Sequence, residues 1–139
     1  MIQVRRIKFT KPLRAIYLDE VKIAHDLRTT LNKGHIGNNA SIFEQHDPTR
    51  QQMHMGIQNY IAAQYAIETL GIGRRVNLRK ILDLALNIRI RKNHKAPTYG
   101  KDKEMQKTEQ DHFNQILGGK NKANKFWATY QQAIDKMHK

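Results

Sequence analysis

The sequence predicts a mainly α protein, a compact bundle of about five helices with a short N-terminal β-strand or extended arm. Three observations carry this. Apolar residues recur at three- and four-residue steps over most of the chain, and strand-like alternation is confined to Met1–Phe9. A length of 139 residues with 39% hydrophobic side chains suits one domain built on one core. Residues 1–95 are expected to form the arm and a helical core carrying a basic helix. Residues 96–139 are expected to add a C-terminal helical hairpin packed on that same domain.

Each element follows from local chemistry. Ile2, Val4, Ile7 and Phe9 make the opening segment a strand or an arm. Thr10 is placed to cap a helix with Pro12 in its first turn, where a missing N–H costs nothing. Leu13, Ile16, Tyr17, Val21, Ala24, Leu27 and Leu31 then line one helical face as far as Gly34. A rival parse makes 12–18 a second strand and starts the helix near Asp19; the longer helical period favours one helix. Residues 35–47 read as loop, and Asp47-Pro48 as the cap of the next helix. That helix carries Met53, Ile57, Tyr60, Ile61, Ile67 and Leu70, keeps one side small with Ala62, Ala63 and Ala66, and stops at Gly71. Ile72 is placed for the hydrophobic contact of a Schellman ending. After a short link, Asn77 caps a helix from Leu78 to about Ile90, and 95–101 form a linker. A helix over roughly 102–117 closes at Gly118-Gly119. The last helix, after Asn121 or Asn124, aligns Ala123, Phe126, Trp127, Tyr130, Ile134 and Met137 as a core stripe.

Charge is strongly uneven. Lys plus Arg number 25 against 12 Asp plus Glu, a formal net charge of +13. Residues 74–95 carry +7 of it in 22 positions, against +5 for 1–33, −2 for 34–73 and +3 for 96–139. The dense block is also rich in arginine, whose planar fork of donors suits phosphate oxygens, whereas 96–139 contain only lysine. Concentration of this kind is an electrostatic footprint for a polyanion.

Laid out at about 100° per residue, the helix after Asn77 has a wide apolar arc of Leu78, Ile81, Leu82, Leu84, Ala85, Leu86 and Ile88. Arg79, Lys80, Asp83, Asn87 and Arg91 share the narrow remaining strip. Arg89 and Lys92 break into the apolar arc, so the helix is expected to leave the core near residue 88 and continue as a basic extension. An apolar face to anchor the helix and an outward strip of Arg, Lys and Asn meet the needs of duplex recognition. With the preceding helix and the Gly71–Gly73 turn the segment resembles a helix-turn-helix in outline, with Arg74 and Arg75 in the turn. The connection is longer than that motif uses. No Phe, Tyr or Trp occurs in 74–95, which favours a duplex over single strands that need stacking platforms.

The expected contact residues are therefore Arg74, Arg75, Arg79, Lys80, Asn87, Arg89, Arg91, Lys92 and Lys95, with Arg5 and Arg6 of the arm as a second contact beside Lys8. The arm is alternatively a strand that pairs with a second subunit in a homodimer.

Other chemistry is sparse. The absence of cysteine excludes disulfides, thiolate zinc sites and thiol nucleophiles. The seven histidines show no metal-ligand spacing, and no phosphate-cradling or nucleophile motif occurs. Asp111-His112, Gly118-Gly119, Asn124 and His138-Lys139 resemble, in order, the HNH endonuclease family. That resemblance covers 29 residues and implies a ββα unit with His112 as general base and His138 as metal ligand. Thirteen residues between Asn124 and His138 exceed the family's spacing, and the segment before His112 reads as helix. A helix with a glycine stop accounts for Asp111–Gly119 without catalysis, so no enzyme activity, catalytic residue, metal or cofactor is expected.

No apolar run reaches the roughly 18 residues of a membrane span, so the expectation is a cytoplasmic protein with no membrane partner. The function expected is non-enzymatic binding of duplex DNA by a transcriptional regulator or accessory factor. An RNA-binding ribonucleoprotein subunit, and an adaptor or inhibitor docking its basic face on an acidic protein, are the alternatives.

Overall fold

The computed structural model describes residues 6–33, 50–93 and 101–138. Five helices occupy them: α1 (Leu13–Lys33), α2 (Arg50–Leu70), α3 (Leu78–Asn93), α4 (Lys101–Leu117) and α5 (Lys120–Met137). Among the described residues there is no strand, and no helix is long and apolar enough to cross a membrane.

Helix α2 lies at the centre and packs against α1, α3 and α5, while α4 closes on α3 and α5. Its composition explains the position. Ile61, Ala62, Ala63 and Ala66 have no exposed surface, and Gln58, Asn59 and Gln64 are buried with them. A helix covered on all sides belongs in the interior, and its alanines let neighbours approach closely. The α2–α5 pair is the most extensive in the fold. Phe113 of α4 meets Phe126 and Trp127 of α5 at ring-centroid distances of 5.0 and 5.2 Å, closing the core at that end. One buried cluster runs from Leu13 of α1 through α2 and α3 to Met137 of α5.

Glycine sets two of the turns. Gly71 adopts φ +70°, its N–H reaches the Glu68 carbonyl at 3.0 Å, and the Ile72 N–H reaches Ile67 at 3.4 Å. This is the expected Schellman ending, with Ile72 buried as its hydrophobic contact. Gly118 and Gly119, at φ +98° and +126°, repeat the pattern on the Gln115 and Asn114 carbonyls. The Gly119 carbonyl then accepts the Ala123 N–H, so α5 starts at Lys120 rather than after Asn121 or Asn124. Gly118 and Gly119 together end α4, and Gly119 also opens α5.

The N-terminus differs from the strand alternative. Residues 6–10 form no ladder, and the Ile7 N–H donates instead to the Gln64 Oε1 at 2.9 Å. Phe9 sits edge-on to Tyr65 at 5.4 Å. The Pro12 carbonyl, not the Thr10 hydroxyl, begins α1 by accepting the Ile16 N–H at 3.1 Å, and the helix from Leu13 leaves no second strand at 12–18. The expected loop at 35–47, the Asp47-Pro48 cap and most of the 95–101 linker lie outside the described residues.

Candidate nucleic-acid interface

Asn77 opens α3 as the sequence predicts. Its Oδ1 accepts the Lys80 N–H at 3.3 Å and its carbonyl accepts the Ile81 N–H at 3.1 Å. Ile81, Leu82 and Ala85 then fix the helix to the core, and Leu84 and Ile88 pack partly buried against it. Arg79, Lys80, Asp83 and Asn87 are all exposed along the remaining strip. From Leu78 to Ile88 the observed wheel matches the predicted one.

Arg74 and Arg75 stand exposed in the turn between α2 and α3, held by the Arg75 N–H to the Ile72 carbonyl at 2.9 Å. Arg6 joins them from 67 residues away by donating to the Gly73 carbonyl at 3.1 Å. The three guanidinium groups line one groove of about 550 Å³ between the arm, the end of α2 and the turn. Glu68 also lines it, yet neither Arg74, Arg75, Arg79 nor Lys80 pairs with a carboxylate among the described residues. An ion pair joins Lys11 to Asp19 at 3.2 Å, at the opening of α1.

Arg89 is turned the other way. The expected departure of α3 from the core near residue 88 is not seen at Arg89, which is half-buried against α2 and α5, and the helix backbone runs on to Asn93. Its Nη1 donates to the Met55 carbonyl at 3.2 Å and the Tyr130 hydroxyl at 3.4 Å, and its Nη2 to the Gln58 Oε1 at 2.8 Å. The Tyr130 hydroxyl donates onward to the Asn59 Oδ1 at 3.0 Å, and Asn59 Nδ2 donates to the Leu82 carbonyl at 3.1 Å. Gln58 Nε2 reaches the Tyr17 hydroxyl at 3.5 Å, which lies 2.7 Å from His54 Nδ1. Burial pushes the Tyr130 hydroxyl above its usual 10.0, outweighing the charge and hydrogen bond of Arg89 that pull it down.

Arg91 and Lys92 fall within α3, but only their backbone is described; Arg5 and Lys95 lie outside the described residues. The structure thus brings Arg6, Arg74 and Arg75 together, leaves Arg79, Lys80 and Asn87 exposed on α3, and turns Arg89 into the fold. Sequence reasoning missed the polar network. Its signal was present in the wheel, since an arginine on an apolar arc needs neutral acceptors facing it, and Gln58 and Asn59 stand in an otherwise apolar stretch of α2.

No protein-family model, curated protein or solved structure matches this chain. The residues themselves therefore carry the functional argument. The HNH-like order falls on helices, with Asp111 and His112 on α4 and His138 ending α5, so the ββα unit it implies is not formed there. Among the described residues no three His, Asp or Glu side chains gather as a metal site.

Proposed function

We propose that this protein binds nucleic acid without enzymatic action, with duplex DNA as the favoured ligand, as a regulator or accessory factor. The carrying observation is the Arg6–Gly73 bond, which adds an arm cation to Arg74 and Arg75 in the turn and leaves them open to solvent. Three guanidinium groups in one groove suit successive phosphates of a backbone, and the exposed Arg79, Lys80 and Asn87 extend the surface along α3. The seven-residue connection Gly71–Asn77 makes phosphate contact the primary mode, with groove readout by Asn87 as its extension. Arg6, Ile7 and Phe9 of the arm bond or pack within their own chain, which supports a groove formed within one subunit.

Mobility shifts with duplex DNA, duplex RNA and single strands across a salt series test this. Duplex DNA is expected to bind most tightly, with a steep loss of affinity as salt rises. Arg74→Ala plus Arg75→Ala removes two phosphate contacts and lowers the salt slope by about 1.8. Arg79→Ala plus Lys80→Ala acts in the same direction. Binding and slope unchanged in both pairs exclude this surface. Tighter binding of duplex RNA reassigns the ligand, and capture of an acidic protein that survives nuclease treatment reassigns the partner class.

A further inference from the structure

We propose that the cleft between α3, α4 and α5 is a binding site for a nucleoside monophosphate, separate from the duplex interface and independent of it. The cleft measures about 810 Å³, within the range of small-ligand sites. Trp127 and Tyr130 give it aromatic wall, and Ile88 and Ile134 add aliphatic surface. Among the described residues no carboxylate lines it, whereas Arg89 and Lys120 both do.

Arg89 is the unusual member. It is a half-buried charge whose three hydrogen bonds all go to neutral acceptors, leaving two of the five guanidinium N–H donors unused among the described residues. A charge held in that way, at the edge of a cleft whose described lining has no acid, is set to receive an anion. Lys120 adds a second cation from the first turn of α5.

The carboxamides define the rest of the ligand. Gln110 Nε2 donates to Asn114 Oδ1 at 3.0 Å, which leaves the Gln110 carbonyl as acceptor and the Asn114 amide as donor, side by side in the cleft wall. Asn124 brings a further carboxamide with no partner among the described residues. An adjacent donor and acceptor match the edge of a nucleobase, and an aromatic wall suits its face. Planar edge, planar face and anion together describe a nucleotide.

Trp127 is the chain's one tryptophan, so its fluorescence reports on the cleft directly. AMP, GMP, CMP and UMP are titrated in parallel with their nucleosides, inorganic phosphate and a short unstructured oligonucleotide. A saturable change is expected with at least one monophosphate, and its nucleoside should bind at least about tenfold more weakly. Ala128→Leu fills the exposed rim and Lys120→Glu reverses a cation; each should weaken the monophosphate by about tenfold or more with helicity unchanged and no fall in urea midpoint. Arg79→Ala plus Lys80→Ala should leave the titration as it was, which separates this site from the duplex surface. The proposal is overturned if no monophosphate saturates, if phosphate alone gives the same response, if only the oligonucleotide responds, or if neither cleft variant weakens binding.

Discussion

Helix α3 carries cations at both ends and uses them in opposite ways. At its start Arg79 and Lys80 lie on the exposed strip, with no carboxylate partner among the described residues. Nine residues beyond Lys80, about 14 Å along the axis, Arg89 lies on the buried arc and its donors reach into α2 and α5. The difference is angular. A charged side chain on the outer strip keeps its water and can exchange it for phosphate, whereas one on the inner arc must find acceptors within the fold. Local density of basic residues therefore overstates a footprint unless the helix phase of each is counted.

The comparison breaks most visibly at Arg89. Arg89→Met strips the donor from Met55, Gln58 and Tyr130 at once, and hydrogen bonds from a charged group are worth more than neutral ones. A loss of about 3 kcal/mol is expected in urea unfolding, with nucleic-acid affinity per folded molecule unchanged. Arg89→Lys should recover only a minor part, since one ammonium cannot span the acceptors that a planar fork joins. Arg79→Ala should move stability by no more than about 0.5 kcal/mol while weakening nucleic-acid binding.

A smaller effect, at alkaline pH, reports on the same inner end. Tyr130 titrates above its usual 10.0 in the folded protein because of its burial, so the folded state holds its proton where the unfolded state has lost it. Stability contributed in this way is present below pH 10 and falls as pH rises past the unfolded value toward the folded one. Urea midpoints measured from neutral to alkaline pH should thus fall more steeply for the native chain than for Tyr130→Phe. That variant is less stable at neutral pH, having lost the bond to Asn59. Parallel profiles would mean that Tyr130 is not held in the dry environment the network requires.

Much of the fold was legible in the sequence, for local reasons. The three- and four-residue spacing of α1, the Asn77 cap and the Gly71 ending each depend on a few neighbouring residues, and each formed as its pattern required. The exposed strip of α3 was legible because a helix wheel needs no tertiary information. What escaped were features assembled from distant segments. Arg6 meets Gly73 across 67 residues, and Tyr130 meets Asn59 across 71, with no local pattern in either case. The start of α5 escaped for another reason: two consecutive glycines at positive φ end one helix and open the next without a side-chain cap.

The smallest expected effect concerns the outer end and tests whether its charge serves the fold at all. The first turn of α3 holds Arg79 and Lys80 and no acid, at the end of a helix whose dipole favours negative charge. Lys80 also occupies the third position after the Asn77 cap, where a glutamate would return a bond to the cap's own N–H. Lys80→Glu should therefore raise stability by about 0.5 kcal/mol, the gain being trimmed by repulsion from Asp83 three residues on. The same substitution sets an anion beside Arg79 and should weaken duplex binding severalfold at low salt. Opposite signs in the two measurements would mean that the lysine is kept at the helix's expense for an external partner. A fall in stability would instead tie Lys80 to the fold, and the outer end would then resemble the inner one.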